Sequence, residues 1–153
     1  LSKEESSMTL NYDCIRDVLL YLEGSLEYTN NLISLEHKRI TIETVASNLS
    51  TYTKNDVRYT IEKLLEAEYI QMKNITLDSQ KYIVNGYIDD ITWEGHNFLN
   101  NIREKTIWEA TKLGAKKVGA VSISTISMIA FEIVKSIVTD QSIIKKIIDK
   151  IRW

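Results

Sequence analysis

Lys54, Asn55, Arg58, Tyr59 and Lys63 recur at helical spacing, and Lys73 and Lys81 follow in a stretch of strand character. Arg and Asn side chains pair with base edges and lysines meet phosphates, so the chemistry these seven residues can do is nucleic-acid contact. Asp56, Glu62, Glu66 and Glu68 lie on or beside the same segment. An ordinary solvated, charge-mixed helix face explains the pattern equally well.

Other chemistry finds little support. His37 and His96 are far apart, and no HxxxH or CxxC spacing accompanies them, so no metal site is expected. Asp89, Asp90 and Glu94 can be read as a cation site or as a solvated strand end beside a helix N-terminus, which favours negative charge. Neither GxxxxGK[ST] nor GxGxxG occurs, which leaves nucleotide binding without a motif. Cys14 has no basic neighbour or CxxC partner to lower its pKa and reads as core filler. No catalytic residue and no cofactor is expected, and the chain is read as a non-enzyme.

The elements that position these residues follow from periodicity. Ile15, Val18, Leu19, Leu22 and Leu26 make one face of a helix over 12–26. Residues 28–38 lack periodicity and read as a connecting loop. A short strand at 39–42 and a brief helix over 43–49, with Val45, Ala46 and Leu49 inward, come next. Thr53 followed by Asp56 is a capping-box pattern, and the helix it opens runs to about Ala67 with Val57, Ile61, Leu64 and Leu65 inward. Residues 70–77 and 82–91 have strand composition, and either Asp78-Ser79-Gln80 or Asn85-Gly86 can close the hairpin. Thr92 caps a helix running to about Glu104 with Phe98, Leu99 and Ile102 inward. Trp93 and Trp108 are expected to plug the core.

Residues 106–117 form a further helix, with possible breaks at Gly114 and Gly119. Beyond it, Ile126, Ile129, Ile133, Val134, Ile137 and Val138 read as a broad buried stripe. Ile143, Ile144, Ile147, Ile148 and Ile151 form another, backed by Lys145, Lys146, Lys150 and Arg152. Serines, a threonine, Glu132 and Lys135 interrupt the apolar run, so a membrane span is not expected. The position of the terminal Trp153 stays open.

The chain has 153 residues, 44% of them hydrophobic and 26% charged, enough for one domain plus an appendage without stabilising metal or disulfides. A single cysteine fits a reducing, cytoplasmic compartment, and the absence of proline suits a largely helical chain. The net charge of −2 conceals an asymmetry: residues 1–105 hold 11 Lys/Arg against 17 Asp/Glu, and residues 106–153 hold 8 against 4. Because phosphate neutralisation supplies most non-specific DNA affinity, the acidic balance of the first segment weighs against a strong general DNA binder. Residues 1–7 are polar and lack the apolar core of a signal peptide, so export is not expected.

Asn11-Tyr12-Asp13, Asp56-Val57-Arg58-Tyr59, Leu64-Leu65-Glu66-Ala67 and above all Ile91-Thr92-Trp93-Glu94-Gly95-His96, followed by Phe98-Leu99 and Thr106-Ile107-Trp108, carry a likeness. With them the chain resembles, over residues 8–138, a small prophage-associated bacterial family, domain-of-unknown-function family 2513. The resemblance implies a winged-helix fold and a mobile-element or Firmicutes-type cytoplasmic setting, and no catalytic residues. The expected fold is α+β: a winged helix-turn-helix with a C-terminal helical extension. Its parts are a tail over 1–11, a winged-helix domain over 12–104 and an oligomerising or docking extension over 105–153. The expected function is that of a DNA-binding transcriptional regulator of prophage origin, with duplex DNA as partner and self-association through the C-terminal helices. The alternative is a protein-interaction or self-associating module that uses the winged helix as scaffold.

Overall fold

The computed structural model describes residues 9–26, 39–120, 122–140, 145–146 and 148–150. The expected loop at 28–38, His37, Trp153 and most of the last isoleucine stripe lie outside the described residues. The fold is mixed α+β, with helices α1 (Tyr12–Ser25), α2 (Ile42–Asn48) and α3 (Lys54–Glu66). Strands β1 (Ile70–Leu77) and β2 (Ile83–Ile91) follow, then α4 (Trp93–Ile102), α5 (Lys105–Val118) and α6 (Ile123–Thr139). The chain divides into two compact units, Leu1–Leu99 and Asn100–Trp153, each taken here over its described residues. Among the described residues, no helix is long and apolar enough to cross a membrane.

Side-chain caps set the helix starts. Asn11 accepts from the Cys14 N–H, Thr41 from Thr44, Thr53 from Asp56, Glu104 from Ile107 and Ser122 from Thr125, each three residues on. Every such acceptor satisfies an amide the helix itself cannot bond, a stabilisation of about 1 kcal/mol for the usual capping residues.

In the first unit α3 packs against α1, α2 and β1. Val57, Ile61 and Leu64 are fully buried, joined by Cys14, Ile15, Val18, Leu19 and Leu22 of α1 and Val45 of α2. Each such aliphatic side chain contributes about 1.5–3 kcal/mol by leaving water. Leu65 is only half-buried, and Thr60 takes the remaining inward place on α3. At about 100° per residue Thr60 and Leu65 flank the centre of the stripe on opposite sides, and tertiary packing selects the first.

The hairpin resolves the two turns left open by the sequence. Asp78 and Tyr82 close it: the Asp78 N–H donates to the Tyr82 carbonyl at 2.9 Å, and the Asp78 carboxylate accepts from the Gln80 and Tyr82 N–H groups. Asn85 and Gly86 instead lie inside β2, opposite an irregularity between Lys73 and Thr76 where Asn74 has φ 54°. Gly86, at φ +149°, lets β1 pass close, since a Cβ there would meet the Ile75 Cα at 3.4 Å. The strand expected at 39–42 is a single bridge, Ile40 to Ile88, with the Ile88 N–H donating to the Ile40 carbonyl at 2.6 Å.

The second unit pairs α5 with α6. Gly114 does not break α5. It lies within the helix where Ile129 of α6 comes close, 3.0 Å from where a Cβ would stand. Gly119 does end it, in the left-handed conformation at φ 64°. Trp108 is buried as expected. The stripe on α6 fades along its length: Ile126 is buried, Ile129, Ile133 and Val134 are half-buried, and Ile137 and Val138 are exposed. Residues 145–146 and 148–150 are helical, and Ile148 is exposed.

Candidate functional site

The solvent side of α3 carries Asn55, Arg58, Tyr59, Glu62, Lys63 and Glu66, opposite the buried stripe by helical spacing. Lys54 and Asn55 are exposed at its start. Arg58 is already engaged: its Nε donates to Glu62 at 3.1 Å, and one terminal nitrogen donates to the Ile83 carbonyl of β2. Lys63 bonds Glu66 at 2.7 Å, which holds its ammonium above the usual lysine range, and lies 5.4 Å from the Tyr59 ring centroid. On the hairpin, Lys73 pairs with Asp89 at 3.3 Å, and Lys81 sits exposed in the turn with φ 66°.

The seven expected residues therefore do not form a bare cationic patch. Arg58 links α3 to the hairpin, whereas Lys63 and Lys73 are locally neutralised by carboxylates. Beside Arg58, a shallow groove of about 190 Å³ runs between Thr41, Ile42 and Glu43 at the start of α2 and Ile83 to Gly86 of β2. Of the seven, Lys54, Asn55 and Lys81 are exposed, whereas Arg58, Lys63 and Lys73 are held by hydrogen bonds or ion pairs.

The Thr92-Trp93-Glu94-Gly95-His96 segment has two faces with separate roles. The Thr92 hydroxyl donates to the Glu68 carbonyl at 2.7 Å and accepts from the Gly95 N–H at 3.1 Å, while the Thr92 N–H donates to the Tyr69 carbonyl at 3.0 Å. Gly95 presses on that same carbonyl: a Cβ would stand 2.1 Å from the Tyr69 oxygen and 2.8 Å from Ile91 Cγ2. Thr92 and Gly95 thus bolt the start of α4 to the corner between α3 and β1, and the Tyr69 ring packs on Phe98 with centroids 5.5 Å apart.

Trp93 does not plug the core. It is 77% exposed. Counting about 100° per residue along α4 places Gly95, Phe98, Leu99 and Ile102 on one side and Trp93 on the other, so the indole points away from the interior. That arithmetic is the signal in the sequence that would have revealed it. Trp93 stands beside an open groove of about 780 Å³ whose lining includes Glu68, Ile70, Met72, Asp90 and Glu94. Among the described residues, no group of three or more His, Cys, Asp or Glu side chains is placed to hold a metal ion.

Helices packed around an antiparallel hairpin, with a helix face and a tryptophan-flanked groove left to solvent, define a small α+β protein. The chain belongs to the family described as Hypothetical protein (DUF2513), whose model matches residues 9–122. It is also similar to an uncharacterized protein of Haemophilus influenzae (strain ATCC 51907 / DSM 11121 / KW20 / Rd), 27% identical over 129 residues that cover 83% of this chain and 96% of that one. No solved structure matches.

Proposed function

We propose that residues 12–104 act as a winged helix-turn-helix of prophage origin and that the protein is a non-enzymatic, DNA-binding transcriptional regulator working in the cytoplasm. The observation that carries this reading is the element order: α1, the Ile40 bridge to β2, α2, α3 and then the hairpin, with α3 seated on α1, α2 and β1. That order presents one helix to a groove and a hairpin to the flanking backbone. Asn55 and Arg58 are the base-reading candidates, and Lys54, Lys63, Lys73 and Lys81 the phosphate contacts. The prophage origin rests on the resemblance in the Thr92–His96 signature, and a buried, unpaired Cys14 suits a reducing compartment.

Binding in this arrangement is salt-sensitive, because each lysine that meets a phosphate releases counterions condensed on the duplex. Fluorescence anisotropy with a labelled random duplex at low salt tests it. Removing Lys54 and Lys81 together lowers the salt slope by about 2, one for each lost phosphate contact. Glu62→Gln removes an acidic charge from the solvent side of α3 and tightens binding. Absence of binding at high micromolar protein rejects the reading.

One observation favours the second reading, a self-associating or protein-interaction module. Leu113, Val118, Met128, Phe131 and Val138 are all more than half exposed on α5 and α6. Of these, Met128, Phe131 and Val138 share one side of α6 by helical spacing, the arrangement a contact surface requires.

A further inference from the structure

The groove beside Trp93 is unlike the α3 face, and of the residues proposed for DNA contact it shares Lys73 alone. Its wall is the base of β1, from Ile70 to Lys73, together with residues 90–94. β2 pairs with β1 along one edge, and among the described residues no strand pairs with the other. Glu68, Asp90 and Glu94 line the groove, and none of them forms an ion pair among the described residues. Lys73, the cation in the lining, is held by Asp89 at 3.3 Å. Trp93 adds a large aromatic surface that folding leaves in water.

These features together select a partner. Carboxylates without cations repel phosphate and attract ammonium or guanidinium groups, an exposed indole face binds the same cations, and a free strand edge accepts an extended backbone. We infer that this groove docks an extended, arginine- or lysine-bearing segment of another protein, which adds a strand to β1 and lays a cationic side chain on Trp93 among Glu68, Asp90 and Glu94. An exposed tryptophan beside carboxylates is the kind of anchor that dominates binding energy at protein interfaces. The inference does not depend on DNA binding by α3.

The test titrates the full chain into a fluorescein-labelled peptide of alternating Arg and Val, with an alternating Glu and Val peptide as control, and follows anisotropy at low salt. The Arg peptide binds and the Glu peptide does not. Trp93→Ala weakens binding by about tenfold or more. The double change Asp90→Asn with Glu94→Gln also weakens it, by removing charge and keeping shape. Lys54→Ala and Lys81→Ala leave peptide affinity unchanged, which separates this surface from the DNA reading. Because the indole is exposed, Trp93→Ala keeps the thermal midpoint of the parent, so loss of binding is not loss of fold. Equal affinity of Trp93→Ala and parent, equal binding of the two peptides, or no binding of the Arg peptide at millimolar concentration would each overturn it.

Discussion

Two neighbouring residues at the start of α4 show how a short signature divides its work. Gly95 exists for a close approach, because any side chain there collides with the Tyr69 carbonyl and with Ile91. Gly95→Ala should therefore lower stability by about 2–3 kcal/mol, the usual scale for overpacking a fixed contact, as read from urea unfolding. Trp93→Ala should change it by less than about 0.5 kcal/mol in the same measurement, since the indole is exposed. Glu68 makes a third case. The Tyr69 N–H donates to the Leu64 carbonyl and the Glu68 N–H to that of Leu65, the Schellman ending of α3, and Glu68 holds φ 62° where glycine is the usual occupant. Glu68→Gly should raise stability by about 0.5–1 kcal/mol, by removing the Cβ penalty of the left-handed conformation. It should also weaken the cationic peptide, because it takes a carboxylate from the groove.

The seam between α1 and α3 carries the next prediction. The Cys14 thiol is pushed up to about 11 by burial, against the Thr60 hydroxyl, which lowers it, and with the Asp56 and Asp17 carboxylates raising it further. The Thr60 hydroxyl is itself buried with no partner of regular hydrogen-bond geometry, so the thiol beside it is at best a weak one. Tyr52 is also raised, by burial first and then by donating its hydroxyl to Asp17. Below pH 9.0, the ordinary value for the thiol, folded and unfolded chains both hold the Cys14 proton. As pH climbs from there towards 11, the unfolded chain ionises first and binds fewer protons than the native one, so stability falls. Thermal midpoints should drop across that window, and Cys14→Ala should make the decline shallower without abolishing it, because Tyr52 contributes in the same direction. The same seam shows what was legible beforehand. The helices, the capping threonine at 53 and the inward positions Val57, Ile61 and Leu64 follow from local spacing alone. Thr60 in place of Leu65, the turn at Asp78 in place of Asn85-Gly86, and Gly114 inside a helix were set by contacts between elements, to which local pattern is blind. The groove residues come from two separate stretches, Glu68 from one and Asp90 and Trp93 from the other, and only the fold brings them to one lining. The Lys63–Glu66 ion pair has i,i+3 spacing within one helix and is open to local reading, whereas the Lys73–Asp89 pair needs the hairpin register.

At the scale of the whole chain, charge and apolar exposure are unevenly distributed. Residues 1–105 carry six more acidic than basic side chains, whereas residues 106–153 carry four more basic than acidic ones, and the net charge is only −2. Copies of such a chain repel one another weakly near neutral pH. Against this low barrier the second unit leaves Met128 at 67% and Phe131 at 55% exposure on α6, beside a stripe that starts buried at Ile126 and opens toward Val138. Removing two such side chains from water is worth several kcal/mol before the cost of association, enough to hold a weak oligomer and too little to hold an obligate one. The expected result in sedimentation velocity is a weight-average mass that rises with concentration over the micromolar range. Met128→Glu with Phe131→Glu should shift that rise to concentrations at least about tenfold higher and leave the far-ultraviolet circular dichroism intact, because both positions are exposed. Added salt discriminates the force involved: association through this apolar face persists or strengthens as ionic strength increases, whereas association through the acidic and basic segments weakens over the Debye screening range. A constant monomer mass at every concentration and salt would remove self-association from the reading and leave Met128 and Phe131 as surface for a different protein.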